Sequence, residues 1–397
     1  MTICLRSRRF RLLGHLGLPD PFDSSAPLCA PPSLARLARL LRRGLMACLL
    51  GLGLGVAALS PAQAIDLSLK TIRVGNLSRA YFSERSSVGE ARPLIIALHA
   101  SGSSGSLMAR ATGLTEIAEA AGYMVVYPNG TGLAIDARTW NSGGCCGYAQ
   151  MHKVDDVAFL RALIGKLVKD GLADPQRVYL VGVSNGGMMA YRMAAEAPEL
   201  LRAVAVVSAV LDVPPETVKA PVPVLHIHGS DDPFIPFLGG IGKQEVSQLP
   251  RLSVARTIET WVKANGAEAR PTVADIPDAA NDGTTIRQYI YRSKTDPQSA
   301  VLFEVKGGGH AWPGAVVPII NGGKSSQNMD ASRVVVDFFN AHGGGRSDEQ
   351  ADEGLPPGAK PLPHATPAPA PAVTSVAPAQ PAAAAPPALP APTRPVR

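Results

Sequence analysis

The fold turns on Val178-Tyr179-Leu180-Val181-Gly182-Val183-Ser184-Asn185-Gly186-Gly187-Met188-Met189-Ala190-Tyr191. Its first six residues form a short apolar, Val-rich run of the kind that makes a buried strand, and Met188 onward has helical character. Between the two stands Gly-x-Ser-x-Gly. A serine at a sharp strand-to-helix turn takes a strained backbone, and side chains two residues to either side would collide, so glycine is needed at both flanks. The helix start beneath it offers an amide and partial positive charge to a developing oxyanion. Ser184 is therefore the candidate nucleophile.

Working outward, Val/Ile/Leu runs bounded by Gly or Pro recur at Leu94 to Leu98, Tyr123 to Tyr127, Ala203 to Val207, Val222 to Ile227 and Ala300 to Val305. Each reads as a strand buried on both faces, as in a parallel sheet. Stretches of 3.6-residue periodicity separate them, at Leu107 to Ala121, Asp155 to Lys169, Met188 to Ala197, Val254 to Ala264 and Ala331 to His342, and supply the crossovers that parallel strands require. Thr71 to Val74 and Ala80 to Ser83 have no helix between them and predict an antiparallel edge. The class is α/β, a mostly parallel, doubly wound sheet with its chemistry at the carboxyl ends of the strands.

A serine hydroxyl needs a base and an orienting acid, in the chain order Ser, acid, His. His310, in the Gly-rich Gly307-Gly308-Gly309-His310-Ala311-Trp312-Pro313-Gly314 after the last strand, is the candidate base. His226 and His228 precede the acid and read as packing or loop-bracing residues. The acid should leave the strand Val222 to Ile227, where Asp231 and Asp232 are adjacent and spacing does not choose between them; Asp212, one strand earlier, is a rival. Asp155 and Asp156 read as helix-start residues, and Phe234 and Phe237 stay open.

The ends of the chain differ from its middle. The 397 residues carry 38 Lys plus Arg against 32 Asp plus Glu, yet residues 1–64 hold eight Arg against Asp20 and Asp23, so the whole surplus of six sits there. The body is neutral and no nucleic-acid partner is implied. Arg42-Arg43, an apolar Gly-punctuated run from Leu45 to Leu59 and Ala62-Gln63-Ala64 follow the order of an export signal. The run is too short for a stable membrane anchor. Residues 1–64 are accordingly expected to be a leader, 65–342 one catalytic domain, and 343–397, with fourteen Pro, an extended Pro/Ala-rich tail. Removing the leader takes Cys4, Cys29 and Cys48, leaving Cys145 and Cys146, which in an oxidising compartment favour a bond to each other. Of the three Trp, Trp261 reads as core; Trp140 and Trp312 lie on loops beside the expected chemistry and are candidates to wall the substrate, or to pack.

Together these residues resemble the secreted esterase family of polyhydroxybutyrate depolymerases and the related feruloyl and acetylxylan esterases, of α/β-hydrolase fold. The resemblance spans roughly Ile72 to Phe339. Four blocks carry it in order: Ala97 to Gly102, Trp140 to Cys146 with Val154 to Val157, Gly182 to Tyr191, and His228 to Pro236 with Gly309 to Gly314. It implies Asp232 as the acid beside Ser184 and His310, and oxyanion amides from Asn185 and Ser101. It further implies an ester substrate, an acyl-enzyme, and no metal or cofactor. Two other readings compete: a serine peptidase of the same fold, and a surface-binding module whose site is vestigial. Oligomeric state is not legible.

Overall fold

Both faces of the central strands are covered, and the strand residues divide between two cores in strict alternation. In a computed structural model, which describes residues 67–344 apart from 85–89, 135–136, 246, 316 and 318–321, Leu94, Ile96 and Leu98 join one core while Ile95 and Ala97 join the other. Period-two side-chain direction makes this division. The expected leader, and all of the expected tail beyond Gly344, lie outside the described residues.

The described strands, in chain order, are β1 (Leu67–Val74), β2 (Leu77–Glu84), β3 (Arg92–Leu98), β4 (Met124–Pro128), β5 (Ala173–Val183), β6 (Ala203–Val207), β7 (Val224–Gly229), β8 (Thr272–Ile276), β9 (Thr285–Tyr291) and β10 (Ala300–Lys306). They form one sheet in the order β1-β2-β4-β3-β5-β6-β7-β10-β9-β8. The six central strands, β4 to β10 in that order, are mutually parallel. They correspond one for one to the six apolar runs. The β1–β2 hairpin is antiparallel, as expected, and extends the sheet through an antiparallel β2–β4 pair. A second antiparallel edge, β9 and β8, was not anticipated.

On one face pack α4 (Asp156–Lys169), α5 (Asn185–Glu196) and α6 (Val254–Ala264), through Phe159, Leu163, Met189, Tyr191 and Trp261. On the other pack α1 (Gly105–Thr112), α2 (Leu114–Ala120) and α7 (Ala331–Ala341), through Met108, Leu114, Val335 and Phe339. The short α3 (Gly147–Met151) lies in the connection after β4. The helix expected over Leu107 to Ala121 is two, because Gly113 takes φ 64° and ends α1 in a left-handed cap, the conformation glycine reaches without a Cβ penalty. No helix among the described residues is long and apolar enough to cross a membrane.

Candidate active site

Four strand ends deliver the expected residues to one place. Ser184 follows β5 directly, with φ 55° and ψ −126°; its amide continues the ladder to the Val207 carbonyl at 2.9 Å, and its own carbonyl accepts from Met188 at 3.0 Å to open α5. A strand thus becomes a helix within one residue, and Ser184 is left on the outside of the bend. The glycines are steric requirements. A Cβ on Gly182 would stand 2.7 Å from the Gly187 nitrogen, and one on Gly186 would stand 2.6 Å from the Leu98 carbonyl carbon.

Asp232 lies three residues past β7 and His310 four past β10. Both are buried, and His310 Nδ1–H donates to Asp232 Oδ2 at 2.7 Å. The other carboxylate oxygen, Oδ1, accepts from the amides of Phe234 at 2.9 Å and Ile235 at 2.8 Å. Burial on its own would raise the Asp232 pKa; hydrogen bonds from His228 and His310 outweigh it and hold the carboxyl below its ordinary value. With Nδ1 committed to a carboxylate, His310 keeps Nε2 for the other side of the ring. His310 and Ser184 line the same cavity, of about 440 Å³, which Ser101, Asn185, Phe234 and the Cys145–Cys146 pair also wall. The ring of Phe234 stands 5.1 Å from that of His310.

Of the two candidate acids in the loop, Asp231 is exposed and accepts a bond from the Ser230 hydroxyl at 2.7 Å. The rival Asp212 is engaged elsewhere. Arg251 Nη1 donates to its Oδ1 at 2.7 Å, and the Ser142 hydroxyl sits 2.8 Å from its Oδ2.

The loop carrying Ser101 is braced at successive carbonyls. The indole Nε1–H of Trp140 donates to the His99 carbonyl at 3.0 Å. His99 Nδ1–H donates to the Ala100 carbonyl at 2.7 Å, and its Nε2 accepts from the Gly130 amide at 2.9 Å. Burial, helped by Arg138 and Arg79, pushes the His99 pKa down to about 4, so the ring is neutral and satisfies both bonds at neutral pH.

These contacts correct the expectation for the two tryptophans. Trp140 is fully buried, stacked on Phe159 at 6.4 Å. Trp312 is 1% exposed, its Nε1–H donating to the Ser332 hydroxyl at 3.1 Å. Neither reaches the cavity wall. Both are large rings with one polar atom that found a buried acceptor, and they hold loops from beneath.

Cys145 and Cys146 are bonded to each other across a cis peptide. Asp155 caps α4, accepting from Ala158 at 2.9 Å. Asp156 does more than start the helix: fully buried, it takes Arg79 Nη2 on Oδ1 at 2.7 Å and the Asn141 amide on Oδ2 at 2.8 Å. It thereby ties the loop of the cysteine pair to β2. Burial pushes its carboxyl up, against the pull of Arg79. Sequence reasoning missed Met188 and Ile235 as lining residues. Met188 was detectable, since it stands in the first turn after the elbow; Ile235 carries no signal of its own. No group of three or more His, Cys, Asp or Glu suited to a metal occurs among the described residues.

A parallel α/β sheet of this strand order, with a serine elbow at its centre, defines the α/β-hydrolase class. The model of the Prolyl oligopeptidase family matches residues 112–215, the segment containing the elbow. Over 296 residues the chain is 33% identical to "Putative esterase NocK" of Nocardia uniformis subsp. tsuyamanensis, an alignment covering 70% of this chain and 84% of that protein. It is 26% identical over 190 residues to Feruloyl esterase B of Piromyces equi, covering 46% of this chain and 34% of that one. It is 29% identical over 141 residues to the Bifunctional acetylxylan esterase/xylanase XynS20E of Neocallimastix patriciarum, covering 35% and 19%. The chain belongs to this esterase family of α/β-hydrolases and is a carboxylic ester hydrolase.

Proposed function

We propose that the chain is an exported serine esterase of the polyhydroxybutyrate-depolymerase and feruloyl-esterase type, acting through Ser184, Asp232 and His310. The observation that carries this reading is the 2.7 Å bond from His310 Nδ1 to Asp232 Oδ2, with His310 and Ser184 on the wall of one cavity. His310 Nε2 takes the proton of the Ser184 hydroxyl as the oxygen attacks the ester carbonyl. The amides of Asn185 and Ser101 hold the oxyanion, and the alcohol leaves with the proton from His310. Water then repeats the cycle on the acyl-enzyme. Export rests on the Arg42-Arg43, apolar-run and Ala62-Gln63-Ala64 order of the leader.

A fluorophosphonate should label Ser184 and leave Ser184→Ala unlabelled; a folded chain that does not label is a binding module. Short p-nitrophenyl esters, methyl ferulate, acetylated xylan and amorphous polyhydroxybutyrate, assayed side by side, assign the acyl group. The Prolyl oligopeptidase match over the elbow supports a second reading, a serine peptidase. A blocked peptide anilide in the same series separates the two.

A further inference from the structure

Behind Asp232, β7 places two histidines two residues apart, His226 and His228, so that both side chains leave the same face of the sheet. Both are fully buried, with rings 5.2 Å apart and 10° from parallel. The Tyr191 hydroxyl, on α5, lies 2.7 Å from His226 Nδ1. His226 Nε2 lies 3.1 Å from His228 Nδ1. His228 Nε2 lies 2.8 Å from the Ile235 carbonyl oxygen and 3.3 Å from Asp232 Oδ2.

The protons on this chain are fixed from its far end. Neither the Ile235 carbonyl nor the Asp232 carboxylate has a hydrogen to give, so His228 Nε2 must carry one. In a neutral ring His228 Nδ1 is then an acceptor, and His226 Nε2–H donates to it. That leaves His226 Nδ1 to accept from the Tyr191 O–H. Burial favours the same arrangement, holding the His226 pKa well below and the Tyr191 pKa well above their ordinary values. One set of hydrogens satisfies every member, and its last donor faces the carboxylate that His310 uses.

We propose that His228 is a positioning residue for the esterase reaction: its single Nε2–H, given to the Ile235 carbonyl at 2.8 Å, is shared with Asp232 Oδ2 at 3.3 Å and keeps that oxygen turned toward His310. The inference rests on the reading of Ser184, Asp232 and His310 as the triad. Oδ1 is held by two backbone amides, which leaves Oδ2 as the oxygen whose direction a side chain controls. Without His228, the remaining hold on Oδ2 is the bond to the base itself.

The test compares the full chain with His228→Leu, His228→Gln and Asp232→Asn in p-nitrophenyl acetate hydrolysis, with active sites counted by fluorophosphonate labelling. His228→Leu, which deletes the donor, should lower kcat about 10- to 100-fold, the range of a lost hydrogen bond to a charged group, with KM changed less than about 2-fold. His228→Gln, whose amide can donate to Oδ2 and accept from His226, should recover kcat to within about 5-fold of wild type. Wild-type kcat in folded His228→Leu overturns the inference, as does an equal loss in the Leu and Gln variants. If His228→Leu does not fold, the wild-type chain labelled with nitrogen-15 at histidine decides by NMR. His228 must show a protonated Nε2 and a bare Nδ1, and the opposite tautomer overturns the inference. Asp232→Asn keeps the two readings apart. Full activity there sinks the triad, whereas a crippled Asp232→Asn beside a silent His228→Leu sinks this inference alone.

Discussion

The side chain of Asn185 closes a ring on the backbone of Trp140: Nδ2 donates to its carbonyl at 2.9 Å, and Oδ1 accepts from its amide at 2.7 Å. Asn185 is 1% exposed and is the first residue of α5, next to the proposed nucleophile. Trp140 in turn donates to the carbonyl of His99. The two segments expected to supply oxyanion amides are thus joined through one asparagine and one indole.

Asn185→Asp tests that connection. The substitution keeps an acceptor for the Trp140 amide and replaces the donor with an oxygen facing the Trp140 carbonyl. The carbonyl keeps the Cys146 amide at 3.2 Å but loses its shorter partner and faces a carboxylate oxygen instead, which should cost about 1–3 kcal/mol of stability. A fall in kcat should accompany it, because the loop carrying Ser101 loses a brace. Trp140→Phe should act in the same direction more weakly, with KM for a short ester unchanged. Urea unfolding and steady-state kinetics check both; a KM effect confined to bulky acyl groups would return Trp140 to the substrate wall.

At the elbow, Gly186→Ala should destabilise by about 3 kcal/mol or more, because the new methyl meets the Leu98 and His99 carbonyls rather than a movable side chain. Gly165→Ala, where a Cβ would meet nothing within 4 Å, should be neutral or slightly stabilising, as expected for a glycine within a helix. Thermal unfolding of the two variants makes the comparison.

The six parallel strands were readable because burial on both faces leaves uninterrupted Val/Ile/Leu runs, whose residues alternate between two cores. The same physics hid β8 and β9. Thr272–Ile276 is mostly exposed, so nothing in its composition separates it from a loop. Ser184 and His310 were legible as candidates because a strained turn and a Gly-rich loop each leave a local signature. Asp232 was not separable from Asp231 by spacing. What distinguishes them is the approach of β10's loop to β7, with the Asp231 amide bonded to the Gly308 carbonyl and the Asp232 side chain to His310. For Trp140 and Trp312 the sequence leaves walling the substrate and packing both open, since a loop position does not fix which way a ring points, and the structure has them packed.

Arg79 and Asp156 predict a large loss from a residue outside the cavity. Both are at least 95% buried and 2.7 Å apart, and the Arg79 guanidinium also stands 3.9 Å from the Phe159 ring centre. Asp156→Ala strands a buried cation and frees the Asn141 amide, so a cost of about 3–5 kcal/mol is expected. The double variant Arg79→Met/Asp156→Leu should regain much of it, since paired removal leaves no lone charge. A double-mutant cycle in urea measures the coupling; equal losses for single and double variants would show that packing, not charge, dominates.

Two buried imidazoles make stability fall with acid in a defined window. Burial lowers the pKa of His99 from 6.5 to about 4, and lowers that of His226 well below 6.5. Between those limits the unfolded chain binds protons that the folded one refuses, so unfolding becomes easier as pH drops from 6.5 toward 4, and neither group contributes a slope above neutrality. Each fully suppressed site adds about 1.4 kcal/mol per pH unit inside the window. Burial raises the Glu119 carboxyl pKa to about 7, which acts in the opposite sense over the same range, so urea midpoints from pH 7.5 down to 4.5 should decline by the excess of the two imidazoles over that one carboxyl. His99→Gln keeps a donor and an acceptor without a titrating ring, and should flatten part of that decline. An unaltered slope in this variant would mean that His99 is already protonated in the folded chain, and its bond to the Gly130 amide could then not exist as described.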